Sequence, residues 1–249
     1  SGLGQIYISK GLFSKLKKSL TNILYRLAFC HKNLNVIFQN SNDLEYLCSV
    51  TGLKKNKTRL ISGSGVDLDK FKLTKLPDSS KPIILFPGRI IASKGVLNFV
   101  EAAKVLGEKA RFVICGEIDF ESKDHISKEL LNKWIDKKFI EYWGFSKNMH
   151  EIMQKSSIII LPSYREGLPK SLCEAAACGR PVITTDVPGC RDAIIPNKTG
   201  LLISLKNTNQ LIEKIKILIN DKKIMRRMSI NGRKLAESKF DIIKVKKNI

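Results

Sequence analysis

The chain has 249 residues, 43% of them hydrophobic, and a formal net charge of +21. That composition supplies a sizeable core for one large domain or two small ones. No apolar run reaches the ~18–20 residues a membrane span needs. The opening SGLGQIYISKG has no long apolar region before a small-residue cleavage site, so no signal peptide is expected.

An excess of positive charge attracts phosphate in some form: nucleic acid, anionic lipid or nucleotide. Lysines run along the whole chain and are densest over Lys10–Lys18 and Lys222–Lys247. Neither region alternates basic residues with aromatics as a single-strand binder does. Nucleic acid is therefore not an expected partner, whereas peripheral contact with an anionic membrane is. The six cysteines have no CxxC spacing and read as reduced core residues of a cytoplasmic protein. His31, His125 and His150 are scattered, and no metal site is expected.

Residues 1–75 predict a basic amphipathic helix over Leu12–Phe29, a short strand at Val36–Phe38, and a small helix capped by Ser41 and running to Leu47. A further strand is expected at Arg59–Ile61. The turn-rich GSGVDLDKF follows, from Gly63 to Phe71. This stretch is too short for a complete domain. It reads as the last part of one plus a linker, with a second domain over 76–249.

From residue 82 onward strands and helices alternate. PIILFP (82–87), RFVIC (111–115), Phe139–Trp143, SIIIL (157–161), Val182–Thr185 and Gly200–Ile203 read as strands. Helices are predicted over Lys94–Leu106, Lys123–Lys137, Asn148–Lys155, Leu168–Cys178, Thr208–Asn220 and Lys222–Glu237. The strands are continuously apolar, which argues for a parallel sheet covered on both faces: a doubly wound α/β domain. Ligands of such sheets bind beyond the carboxyl ends of the strands. That rule points to residues 88–94, starting at Gly88, and to 116–120, 144–149 and 162–170.

The segment PSYREGLPKSLCEAAACGRP (162–181) holds two carboxylates, Glu166 and Glu174, around a turn. Gly167 permits the turn and Pro169 suits the first turn of a helix. Free backbone N–H groups at such a helix start favour an anion. Carboxylates there repel phosphate, so their expected work is to accept hydrogen bonds from hydroxyls. The alternative is that Glu174 pairs with Lys170 one turn earlier and Glu166 is merely exposed.

Glu166, seven intervening residues and Glu174 match the EX7E motif. With its flanks LPSYREGLPKSLCEAAACGRPVITTDVPGCRDAI, FPGRIIASKGVLNFVEAA and NKTGLLI, the chain resembles the retaining GT-B glycosyltransferases of family 4 over residues 60–220. The resemblance implies that Arg89 and Lys94 grip the donor diphosphate and act with Glu166 as the catalytic group. It implies that Glu174 holds the ribose, and that Glu166 lies beside the donor sugar in a positioning role, with the acceptor attacking on the leaving-group face. Gly167, Leu168 and Pro169 would lie over the sugar and diphosphate, with Gly88 at the strand end. Phe145 and Met149 would flank the nucleobase, with Glu117 on the same rim. No metal or cofactor is implied, and Asp67–Asp69 reads as a chance D-x-D in the linker.

The GT-B architecture has two Rossmann-like domains with the site between them. The resemblance makes residues 76–249 the C-terminal nucleotide-sugar-binding domain. Residues 1–75 become the tail of an incomplete N-terminal domain, whose other part is expected in a separate or preceding segment. The implied function is transfer of a hexose or N-acetylhexosamine from a UDP-sugar to a glycan or polyprenyl-linked acceptor, on the cytoplasmic face of the plasma membrane. The alternative is a truncated, inactive nucleotide-sugar-binding remnant.

Overall fold

The computed structural model describes residues 11–247. All of the opening segment SGLGQIYISKG but its last glycine, and with it Lys10, lies outside the described residues.

Residues 11–61 form a small unit. Helix α1 (Leu12–Ala28) precedes β1 (Val36–Phe38), α2 (Ser41–Thr51) and β2 (Thr58–Leu60), and the two strands pair in parallel. Phe38, Leu47 and Leu53 make a small core that Tyr25 of α1 and Phe29, the residue that caps its C-terminus, pack against. The opposite face of α1 is open: Phe13, Leu16, Leu20, Ile23, Leu24 and Leu27 are all exposed. The cap of α2 is Asn40, not Ser41 as expected. Its Oδ1 accepts from Asp43 N at 2.8 Å, which satisfies an orphan donor of the first turn.

Residues 62–247 form the main body. Its sheet runs β5 (Glu141–Tyr142), β4 (Arg111–Cys115), β3 (Ile83–Pro87), β6 (Ile158–Leu161), β7 (Val182–Thr185), β8 (Gly200–Ile203), with every pair parallel. β6 and β7 are buried at every residue, and β3 at all but its first, as strands covered on both faces must be. The remaining helices are α3 (Val96–Leu106), α4 (Lys128–Asp136), α5 (Met149–Lys155), α6 (Lys170–Ala177), α7 (Thr208–Asn220), α8 (Lys222–Leu235) and α9 (Ile242–Lys247). This is the doubly wound parallel α/β domain that the sequence predicts. The chain winds outward from β3 to β5, then returns to lay β6 against β3. The connections that leave β3 and β6 run toward opposite edges of the sheet, and a crevice opens beyond their carboxyl ends.

Helix α3 begins at Val96 rather than Lys94, after the separate turn Ala92–Lys94 that Gly95 closes. Helices α4 and α6 also start later than expected, each for a local reason. Helix α4 begins at Lys128 rather than Lys123. Ser127 caps it, and Asp124 upstream is held by its carbonyl to Ala92 N (2.8 Å) and by its Oδ2 to Ser93 N (2.7 Å). Helix α6 begins at Lys170 rather than Leu168, because Pro169 is its cap and Gly167–Leu168 belong to the turn. Asp67 is a turn-capping residue: its Oδ1 accepts from Asp69 N and Lys70 N.

Arg180 is fully buried and pins the linker. Its Nε donates to Met153 O (3.0 Å) and its Nη2 to Gln154 O (3.2 Å), two carbonyls at the end of α5, and Nη2 also reaches Thr74. Burial lowers its pKa to about 10, so the cation survives at neutral pH opposite the negative end of a helix. The chain end returns to the same region: Val66 N donates to Phe240 O (2.7 Å) and Ile242 N to Val66 O (3.0 Å).

Gly95 joins the two sides of the crevice. It sits at φ 81°, and a Cβ on it would lie 2.1 Å from Pro162 O, at the end of β6. Gly144 has φ 67° with open space around it. Gly95→Ala is expected to cost about 2–4 kcal/mol, against about 1–2 kcal/mol for Gly144→Ala, where only the backbone term acts. Urea unfolding midpoints measure the difference; equal losses would contradict the close approach.

Candidate functional site

The crevice holds a cavity of about 440 Å³. Its lining brings together Gly88, Arg89, Lys94, Met149, Glu166, Gly167, Leu168, Pro169 and Glu174, residues dispersed over 87 positions of the sequence. Phe145 and Glu117 are not in the lining. Both are exposed, and the Glu117 backbone does structural work, its carbonyl accepting from Ile90 N at 2.7 Å. Among the described residues no group of three or more His, Cys, Asp or Glu is placed to hold a metal ion.

The local sequence explains each placement. β3 ends at Pro87, and the following loop carries Arg89 outward, where its Nη1 meets Asp119 Oδ2 at 2.5 Å. Its side chain is 60% exposed. A single 3-10 turn over Ala92–Lys94 turns Lys94 inward instead, to 21% exposed. Lys94 Nζ meets Glu166 Oε1 at 2.5 Å. Glu166 is thus not the exposed residue of the simpler reading but a shielded carboxylate with a cation on it.

The loop carrying Glu166 is tied on several sides. Tyr164 N donates to Ser93 O (2.8 Å), Thr185 Oγ1 donates to Ser163 O, and Glu166 N donates to Pro188 O (3.4 Å). From the small unit, Asn40 Nδ2 donates to Gly167 O at 2.9 Å, and Asp43 is bonded to Arg165. Asn40 and Asp43 are 2% and 4% exposed, so these contacts are shielded from competing water.

Helix α6 has no side-chain cap on its N-terminus, and its first residues Lys170 and Ser171 line the cavity. Backbone donors, the positive end of the helix dipole and a lysine therefore face the same space. Glu174 follows one turn later. It is buried, and desolvation pushes its carboxyl up to about 7, against a smaller lowering effect from Lys170. Lys170 Nζ stands 3.8 Å away on a side chain 63% exposed, so water screens most of its attraction. The buried thiols of Cys173, Cys178 and Cys190 are all raised by burial and are poor nucleophiles.

The sequence does not single out Gln39, Ser171, Pro87 or Leu161 as lining residues, and it marks Ser64 only as part of the turn-rich GSGVDLDKF. Gln39 comes from outside the main sheet and carries no motif. Lys170 lies in the expected 162–170 segment at the start of the helix that Pro169 predicts, and the structure adds that it lines the cavity.

The family model described as "Glycosyl transferases group 1" matches residues 67–235. The chain belongs to the group 1 glycosyl transferases. A relative from Campylobacter jejuni is an N,N'-diacetylbacillosaminyl-diphospho-undecaprenol alpha-1,3-N-acetylgalactosaminyltransferase. It is 35% identical over 243 residues, which cover 93% of this chain and 63% of the relative. The capsular polysaccharide biosynthesis glycosyltransferase CapM of Staphylococcus aureus is 27% identical over 95% of this chain and 66% of its own length. The chain thus spans somewhat less than two thirds of these curated relatives. The crystal structure of the C-terminal domain of a group 1 family protein from Francisella tularensis is 29% identical. Its TM-score is 0.62, over 72% of this chain and 100% of that one. The Anabaena protein HepE in complex with UDP shares the fold at a TM-score of 0.76 and 16% identity, over 86% of this chain and 61% of its own.

A carboxyl whose folded pKa lies above its ordinary value holds a proton that the unfolded chain has already released. Glu174 therefore lowers stability progressively as pH rises from about 4.5 to about 7. Glu174→Gln is expected to flatten that slope and to stabilise the chain at pH 8 by on the order of 1–3 kcal/mol. Urea titrations at pH 5 and pH 8 read it. An unchanged slope in the variant would show that Glu174 is not the buried acid.

Proposed function

We propose that this chain supplies the donor half of a retaining glycosyltransferase that uses a UDP-sugar, in the synthesis of a lipid-linked or surface polysaccharide. The observation that carries the reading is the meeting of Lys94 and Glu166 at 2.5 Å in the crevice between β3 and β6, beside the uncapped start of α6. A nucleoside diphosphate is the ligand class that uses all of these groups. Its phosphates suit Arg89, Lys94, Lys170 and the helix N–H groups, and its ribose hydroxyls suit an ionised Glu174. The relative from Campylobacter jejuni and an Escherichia coli galactosyltransferase (29% identical over 73% of this chain) are named for acceptors linked to diphospho-undecaprenol. We extend that acceptor class to this protein.

The chemistry follows from charge. As the glycosidic bond to the diphosphate breaks, negative charge grows on the leaving group and positive charge on the sugar ring. Fixed cations and helix N–H groups aimed at the leaving oxygen stabilise the first without reorganising. We assign Glu166 a positioning role at the sugar hydroxyls, with the acceptor arriving on the leaving-group face and retention resulting.

Membrane contact belongs to the same reading. Helix α1 has no acidic residue, and the first acid of the whole chain is Asp43. Its open apolar face is flanked by Lys15, Lys17 and Arg26, the arrangement that suits an anionic lipid surface and a lipid-linked acceptor. The chain is expected to sediment with phosphatidylglycerol vesicles and not with phosphatidylcholine vesicles, and Leu20→Glu/Leu24→Glu is expected to release it. Equal sedimentation of wild type and variant removes the membrane from the proposal.

Calorimetry with UDP tests the donor site. Lys94→Ala is expected to weaken binding about tenfold or more, the scale of a shielded charge-assisted hydrogen bond. Arg89→Ala should cost only a few-fold, because its exposed side chain is screened. Below pH 7 binding should release a proton, since hydroxyls bond the ionised form of Glu174. No UDP binding at all, or none lost in Lys94→Ala, sinks the proposal. In the protein assembled with its acceptor-binding part, Glu166→Ala is expected to abolish transfer.

A further inference from the structure

The cavity has a wall that the donor-site reading leaves unused. Gln39 stands between β1 and α2 and lines the cavity together with Lys94 and Glu166. Its Oε1 is closed off from solvent and has no hydrogen-bond partner among the described residues. The turn holding it is fixed. The neighbouring Asn40 donates to Gly167 O at 2.9 Å and to Asp43 Oδ2 at 3.1 Å, and it caps α2 with its own Oδ1. Gln39 is therefore held at the Glu166–Gly167 end of the cavity, opposite the main body.

A buried acceptor without a partner is a standing cost, and a ligand donor in the cavity removes it when the carboxamide turns about its soft terminal torsion to face that donor. The chemistry of the ligand then selects which donor. Phosphate oxygens only accept, so a carboxamide oxygen gains nothing from the diphosphate. The ribose hydroxyls are matched by Glu174, which lies on α6. What remains at the Glu166 end is the sugar ring of the donor, whose hydroxyls donate. We infer that Gln39 is a specificity-determining residue that accepts a hydrogen bond from a hydroxyl of the donor's sugar ring. The inference rests on the donor-site reading above. It adds that the small unit, and not only the main body, reads the sugar.

The test is calorimetry of the full chain with UDP, UDP-glucose, UDP-N-acetylglucosamine and UDP-N-acetylgalactosamine. Wild type is expected to bind at least one of the sugar nucleotides more tightly than UDP. In Gln39→Met, which keeps the volume and loses the acceptor, UDP affinity should stay within about twofold. The preferred sugar nucleotide should weaken by about fivefold or more, as expected when one well-placed acceptor is removed. Gln39→Asn, whose acceptor falls short, should move in the same direction, and thermal melts establish that both variants are folded. If wild type binds no UDP, the donor-site reading fails and takes this inference with it. If UDP binds but sugar nucleotides bind no tighter, Gln39 makes no contact with the sugar. The same conclusion follows if Gln39→Met weakens UDP and the sugar nucleotide equally or leaves both unchanged. In either case the donor site stands without Gln39.

Discussion

Opposite charges meet at 2.5 Å where the strand order reverses, and the cavity depends on that meeting. Lys94 comes from the loop after β3 and Glu166 from the loop after β6. Neither is at full exposure, so neither charge is quenched by water, and each holds the other in place. A bound diphosphate would compete with Glu166 for Lys94. Under the proposed function the free site keeps its cation neutralised and releases it to an anion that brings more charge. The same exchange is available at the rim, where Arg89 is held by Asp119.

The loop around Glu166 is a junction rather than a loose connection. It is tied to the Ser93 carbonyl, to the Pro188 carbonyl, and across the crevice to Asn40 and Asp43. The small N-terminal unit contributes few buried apolar side chains. Its contacts with the main body here are polar and almost fully shielded. Such contacts specify one arrangement more than they stabilise it, because a misplaced partner leaves a buried polar group unpaired. The geometry of the cavity is in this sense set from both sides of the crevice.

Much of this was legible in the sequence. The continuous apolar runs at 83–87, 111–115 and 158–161 predict buried parallel strands, and the ligand-binding loops follow from their ends. Glu166 and Glu174 were found because the turn between them is chemically distinctive. Local rules failed where a long-range contact decided the outcome. Ser41 looked like the cap of α2, but Asn40 takes that role while also bonding Gly167, 127 positions away. The helix expected from Lys123 starts late because Asp124 is bonded to the segment before Lys94. Phe145 and Glu117 satisfied a positional rule, yet their side chains stay in solvent. The Arg165–Asp43 pair has no sequence signal, since nothing in either neighbourhood points to the other.

The most direct measurement is a double-mutant cycle on UDP affinity with Lys94→Ala, Glu166→Ala and the double variant. If Lys94 is shared between Glu166 and the diphosphate, Glu166→Ala leaves UDP affinity unchanged or raises it. The double variant should then bind as weakly as Lys94→Ala alone. Additive losses from the two single changes would mean that both side chains hold the nucleotide independently, and would contradict the exchange at the centre of the site.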